Sequence, residues 1–215
     1  MKRKLIAIGL SGAIALALCG CSFNFNINLG GRFTEKKVLK FFQDTLDAEE
    51  YDVDDLIEAC EEDDYDDDFE DGVYVELDKS GTKDIYKAME LDQFFASVKS
   101  SESSVAYFRT NDIGESDRYA SFICDIKFED KEAARDFFDD SLELWNDLSD
   151  DIDFDDDEEL NEAYIYLDSY GYKFYAAMYT DGQQVVISLC VNDTDDIDDF
   201  CDEFDVKSPS KLDKD

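Results

Sequence analysis

The chain of 215 residues contains no histidine, and this absence removes a large block of chemistry. Without imidazole there is no Ser-His-Asp triad, no Cys-His pair, no histidine-bound zinc and no access to the commonest general base. Only 10 glycines occur, and none falls in a Gly-x-Gly-x-x-Gly or Walker-type loop that could cradle a phosphate. Carboxylate, thiol and phenol chemistry remain. A glycosidase needs only two acids, about 5 Å apart for retention or about 6.5 to 9.5 Å for inversion. With 57 Asp and Glu available, spacing selects no pair, and a solvated acidic face is the ordinary reading of such runs.

Metal ligation fares no better. Asp64, Asp66 and Asp68 imitate the first ligands of an EF-hand loop, but Phe69 stands where glycine is needed and Val75 where the bidentate glutamate belongs. Asp153, Asp155 and Asp157 fail in the same way, with Glu158 at the glycine position and Tyr164 at the last ligand. No structured metal site and no cofactor is expected. Cys60, Cys124, Cys190 and Cys201 each sit within an apolar helix face or strand and lack Cys-x-x-Cys spacing. They read as buried free thiols or as one disulfide, since four cysteines allow three pairings.

The tyrosines are the remaining candidates. Tyr172 to Tyr179 and Gln184 to Val191 alternate as strands around Asp181-Gly182, a preferred pair for a type I′ hairpin. With those two residues as the turn, Met178 faces Val185, Ala176 faces Ile187 and Phe174 faces Leu189, so every pair on one face is apolar. The opposite face then carries Tyr175, Tyr179 and Lys173. Pairing Leu167 with Tyr172 adds Tyr164 and Tyr166 to the same face and Ile165 to the apolar one. Tyr164, Tyr166, Lys173, Tyr175 and Tyr179 are therefore the candidate ligand-binding residues, since clustered rings with hydroxyls suit a peptide or glycan. Tyrosine also suits any pleated surface, and a covering helix would turn the same face into core.

The elements that position these residues follow from periodicity. Helical spacing of apolar residues appears over 34–47, 52–61, 83–98, 129–148 and 195–204. An acidic loop fills 62–71, and Ser80-Gly81-Thr82 reads as a turn. Strands are expected at 73–75, 104–110 and 118–128, the last two forming a hairpin around Asp112 to Asp117, and at 164–167, 172–179 and 184–191, with a turn at Gly171. The expected fold is α+β with a mainly antiparallel sheet in ferredoxin-like β-α-β-β-α-β order, extended by two strands and a helix and preceded by a helical pair. Its 17 Phe, 12 Tyr and one Trp supply a core that high charge alone would deny.

The first residues carry an address. Lys2, Arg3 and Lys4 precede an apolar run from Leu5 to Leu18, the layout of an export signal. As a helix the run reaches about 21 Å, short of a roughly 30 Å hydrocarbon core. Leu18-Cys19-Gly20-Cys21 resembles a bacterial lipobox, although Cys19 stands where Ala or Ser is usual. The resemblance implies diacylglycerol on the Cys21 thiol and cleavage before it. The expected organisation is a signal peptide over 1–20, a lipidated tether over 21–32, one domain over 33–204 and a flexible tail over 205–215. Phe69-Glu70-Asp71-Gly72-Val73-Tyr74 and Phe128-Glu129-Asp130-Lys131-Glu132-Ala133-Ala134 resemble segments of acidic lipoproteins from Gram-positive anaerobes, a likeness that implies no particular activity.

Cleavage would leave 17 basic against 57 acidic residues and move the formal charge from −37 to −40. Such a balance argues against nucleic acid, whose phosphates are bound by Lys and Arg. The expected protein is a non-enzymatic lipoprotein, lipid-anchored on the extracytoplasmic face of the cell membrane, that binds a peptide, glycan or cationic ligand. The alternatives are an extracytoplasmic carboxylate-dependent hydrolase and a cation-buffering acidic surface protein.

Overall fold

The computed structural model describes residues 31–62, 65, 68–111, 119–148, 152–156, 160–169 and 172–214. The lipobox-like segment and Cys21 lie outside these residues, as do the expected hairpin loop at 112–117 and the expected turn at Gly171. The chain enters the fold through α1 (Glu35–Asp44), β1 (Glu49–Glu50), α2 (Val53–Glu62) and α3 (Asp68–Asp71). It continues through β2 (Val73–Asp78), α4 (Lys79–Ala88), β3 (Ser101–Thr110), β4 (Ala120–Phe128) and α5 (Lys131–Leu148). It ends with β5 (Ile152–Asp156), β6 (Asn161–Ser169), β7 (Tyr172–Asp181), β8 (Gln184–Val191) and α6 (Asp195–Phe204).

Local chemistry accounts for the helix starts. Thr34 caps α1 by accepting from the Lys37 N–H. Asp78 caps α4 by accepting from Ser80 and Gly81 at 2.9 and 2.8 Å. That cap draws Ser80, Gly81 and Thr82 into the first helical turn, so α4 covers 79–88 rather than 83–98 and stops before Glu90, whose φ is +46°.

The strands form one eight-stranded open sheet in the order β1-β2-β3-β4-β8-β7-β6-β5. β1 runs parallel to β2, and every other neighbouring pair is antiparallel. The β-α-β-β-α-β succession is present along the chain from β2 to β5, but its ferredoxin-like arrangement is not. β-α-β units there are parallel crossovers, whereas here β2 and β3 are antiparallel neighbours across α4 and β5 sits at the edge farthest from β1 and β2. β5 itself was not expected. Its Ile152 and Phe154 are embedded in acids that hide the alternation.

Because both sheet faces carry apolar side chains, both are covered. On one face α2, α4 and α5 enclose Val75, Phe108, Phe122, Ile126, Met178 and Ile187, with Trp145 fully buried. On the other, α1 and α6 enclose Tyr107, Ile123, Tyr175, Tyr179 and Val186 beneath Phe42 and Phe200. The final residues differ from the flexible tail expected at the chain's end. Val206 and Ser208 are buried, and a 3₁₀ turn at Pro209–Lys214 packs on β6 and β7.

Candidate functional site

The hairpin between β7 and β8 closes one step later than the Asp-Gly pair suggested. Asp181 pairs with Gln184, so Gly182 and Gln183 are the central residues. Gly182 has φ +75°, the positive value that the first central position of a type II′ turn requires. Met178 therefore faces Ile187, Ala176 faces Leu189 and Phe174 faces Val191. The pairing between β6 and β7 shifts likewise, with Leu167 opposite Phe174 and Tyr166 opposite Tyr175. Both shifts change the partner by two residues. Because side chains alternate with period two, each residue keeps its face.

That face does gather the tyrosines, and it is buried. Tyr164 and Tyr179 are fully enclosed, Tyr175 is 5% exposed, Tyr166 is half-buried, and only Lys173 is exposed. The candidate binding face is thus a second core, the covered alternative. α1 and α6 each carry a phenylalanine stripe that needs an apolar surface, and this face supplies it. Tyr179 has its ring 6.2 Å from Phe33 and 6.1 Å from Phe200, and Tyr164 meets Tyr179 edge-on at 5.9 Å. The Tyr179 hydroxyl donates to the Lys207 carbonyl at 2.9 Å, and the Tyr164 hydroxyl donates to Glu162. The Lys207 ammonium lies 5.1 Å from the centre of the Tyr164 ring. Burial pushes the Tyr179 phenol well above its ordinary pKa.

Two polar clusters lie within the same layer and were not expected from sequence. Arg109 donates to Asp193 at 2.8 Å and lies 3.1 Å from Asp196, which also accepts from the Tyr107 hydroxyl at 3.2 Å. Burial raises the Asp196 pKa, and the Arg109 charge acts against that rise. This ion pair ties β3 to the first turn of α6. In the second cluster Asp125 is fully buried and accepts from Gln184 at 2.6 Å, while its Oδ1 has no partner. Burial, then the nearby Glu35 charge, raises its pKa well above the carboxylate range, and Glu35 in turn accepts from Ser103. An acid inside a strand, between Cys124 and Ile126, was the available signal. It went unread because one acid among 57 has nothing in its local pattern to set it apart.

All four cysteines are buried, and Cys124, Cys190 and Cys201 are free thiols. Cys124 lies in the first core and Cys190 in the second, as their opposite strand faces require. Burial pushes the Cys201 thiol up to about 12 and those of Cys124 and Cys190 further, so none of these three is a ready nucleophile.

The exterior is a different chemical surface. Among the described residues Leu144 is the one exposed large hydrophobic side chain. An open groove of about 400 Å³ runs between α5 and residues 97–100. Phe128 and Phe137 contribute to it, and Glu129, Glu132, Asp136 and Asp140 far outweigh Lys99 in charge. Its size is at the small end for a ligand pocket, and its lining is acidic. Compared with protein families, with curated proteins and with solved structures, the chain matches none.

Proposed function

We propose that this protein is a non-enzymatic binding module, held on the extracytoplasmic face of a membrane by lipid on Cys21, whose partner is cationic. One observation carries the reading. The aromatic faces of the sheet are used up in two cores, and among the described residues the exposed charged side chains are mainly carboxylates. The first described residues are held by the domain. Phe33 is fully buried, and Arg32 donates through its N–H to Asp181 and through its guanidinium to the Phe204 carbonyl at 3.1 Å.

The hydrolase alternative could draw on Asp125, whose pKa is raised by burial and then by the nearby Glu35 charge, but that side chain has no exposed surface for a substrate to reach. Binding therefore ranks first. Two measurements test it. Cys21→Ser should release the protein from the membrane fraction or leave its signal uncleaved, and normal processing with full membrane retention would refute the anchor. A lysine-rich peptide should bind in a salt-sensitive way while a neutral peptide of equal length does not. Equal binding of both, or of neither, removes the cationic partner. Uptake of calcium or magnesium in many weak, equivalent sites with no peptide preference would favour the cation-buffering alternative.

A further inference from the structure

We infer that the outer edge of β5 accepts an extended, basic segment of a partner protein as an additional antiparallel or parallel strand. This rests on the cationic partner proposed above and adds where it binds and in what conformation.

β5 is the terminal strand of the sheet, paired with β6 along its whole length from Ile152 opposite Ile165 to Asp156 opposite Asn161. No strand covers its other side among the described residues. A terminal strand carries a row of backbone donors and acceptors with the spacing of a ladder, ready to pair with another extended chain. The strand behind it is firmly seated, since Ala163, Tyr164 and Ile165 are all buried. The edge is thus backed by the core. The opposite edge, β1, has only two residues and offers much less backbone.

The residues of β5 decide what can pair. Asp153 and Asp155 alternate with Ile152 and Phe154, and Asp156 follows. In register, the two aspartates stand opposite Tyr164 and Glu162, and the two apolar residues stand opposite Ile165 and Ala163. A second copy of β5 laid against this edge would bring acids against acids, which is unfavourable in cross-strand positions. Lysine or arginine at every other position of an incoming strand reverses that sign while its backbone completes the ladder. Apolar residues between them match the positions of Ile152 and Phe154. The partner segment is therefore basic and apolar by turns, over about five residues.

The test uses the full chain in detergent and an alternating lysine–valine heptapeptide, read by fluorescence anisotropy and by amide hydrogen exchange. A block peptide of the same composition controls for charge, and an alternating peptide N-methylated at every other residue controls for the backbone ladder. The alternating peptide should bind at least tenfold more tightly than either control and should protect amides of residues 152–156. Asp153→Lys with Asp155→Lys should weaken it at least tenfold. Equal affinity of the alternating and block peptides on the unaltered protein overturns the inference, whatever the variant does. Binding with protection confined to α5 overturns it too but leaves the cationic partner standing. Absence of binding by every lysine peptide ends both.

Discussion

At the level of single residues, the tyrosine face turns a possible contact surface into a structural one, and truncations reveal the difference. Tyr179→Ala removes a fully buried ring and the donor to the Lys207 carbonyl, so it should cost about 3 to 5 kcal/mol in urea denaturation. Phe174→Ala should cost clearly less. Phe174 points to the apolar face as expected, but it lies near the strand end and is only half-buried. An equal loss from both would contradict this placement. Asp125 gives a second residue-scale test. Burial lifts its pKa above the value of the unfolded chain, near 3.9, so in that window the native state keeps a proton that the unfolded chain has released. Stability then falls as pH rises from the unfolded pKa toward the folded one. Asp125→Asn should flatten that slope and raise the urea midpoint at neutral pH. A variant less stable at neutral pH, with the slope unchanged, would show that the carboxyl is not held protonated.

At the level of elements, the C-terminal segment closes the second core. Asp205 turns the chain out of α6 with φ +52°, Val206 donates back to the Cys201 carbonyl at 3.0 Å, and Ser210 donates to Asp198 at 2.8 Å, with Ser208 on the same carboxylate. Deleting residues 206–215 would uncover the Tyr164 and Tyr179 rings together. The shortened chain should bind a hydrophobic dye and melt at lower temperature, and Asp198→Ala alone should cost about 1 to 3 kcal/mol through orphaned hydroxyls. Unchanged melting after the deletion would return this segment to the status of a free tail. The sequence signal for such docking was slight, because a short stretch rich in Lys, Ser and Asp has no periodicity to mark it as packed.

At the level of the whole molecule, 57 acids against 20 bases make self-repulsion a standing cost. Screening relieves it. Melting temperature should rise as sodium chloride increases from about 10 mM to about 500 mM, across which the screening length shrinks severalfold. The partly buried ion-pair cluster of Arg109 with Asp193 and Asp196 is less open to salt and should oppose the trend only weakly. A falling melting temperature would mean that specific ion pairs outweigh general repulsion.

Sequence alone determined the alternation of β4, β6, β7 and β8, the helical stripes of α1, α2, α5 and α6, and therefore which residues share a face. It held even where the hairpin register was misjudged, since an error of two residues preserves parity. Acidity and the lack of histidine likewise belong to composition and bounded the chemistry from the outset. Only the tertiary structure decided that α1 and α6 lie over Tyr164 and Tyr179, that β8 rather than β5 follows β4 in the sheet, that Asp125 is sealed inside, and that residues after Asp205 are docked. Periodicity records the side on which a residue lies. What is packed against that side depends on contacts between segments far apart in the chain, which no local pattern encodes.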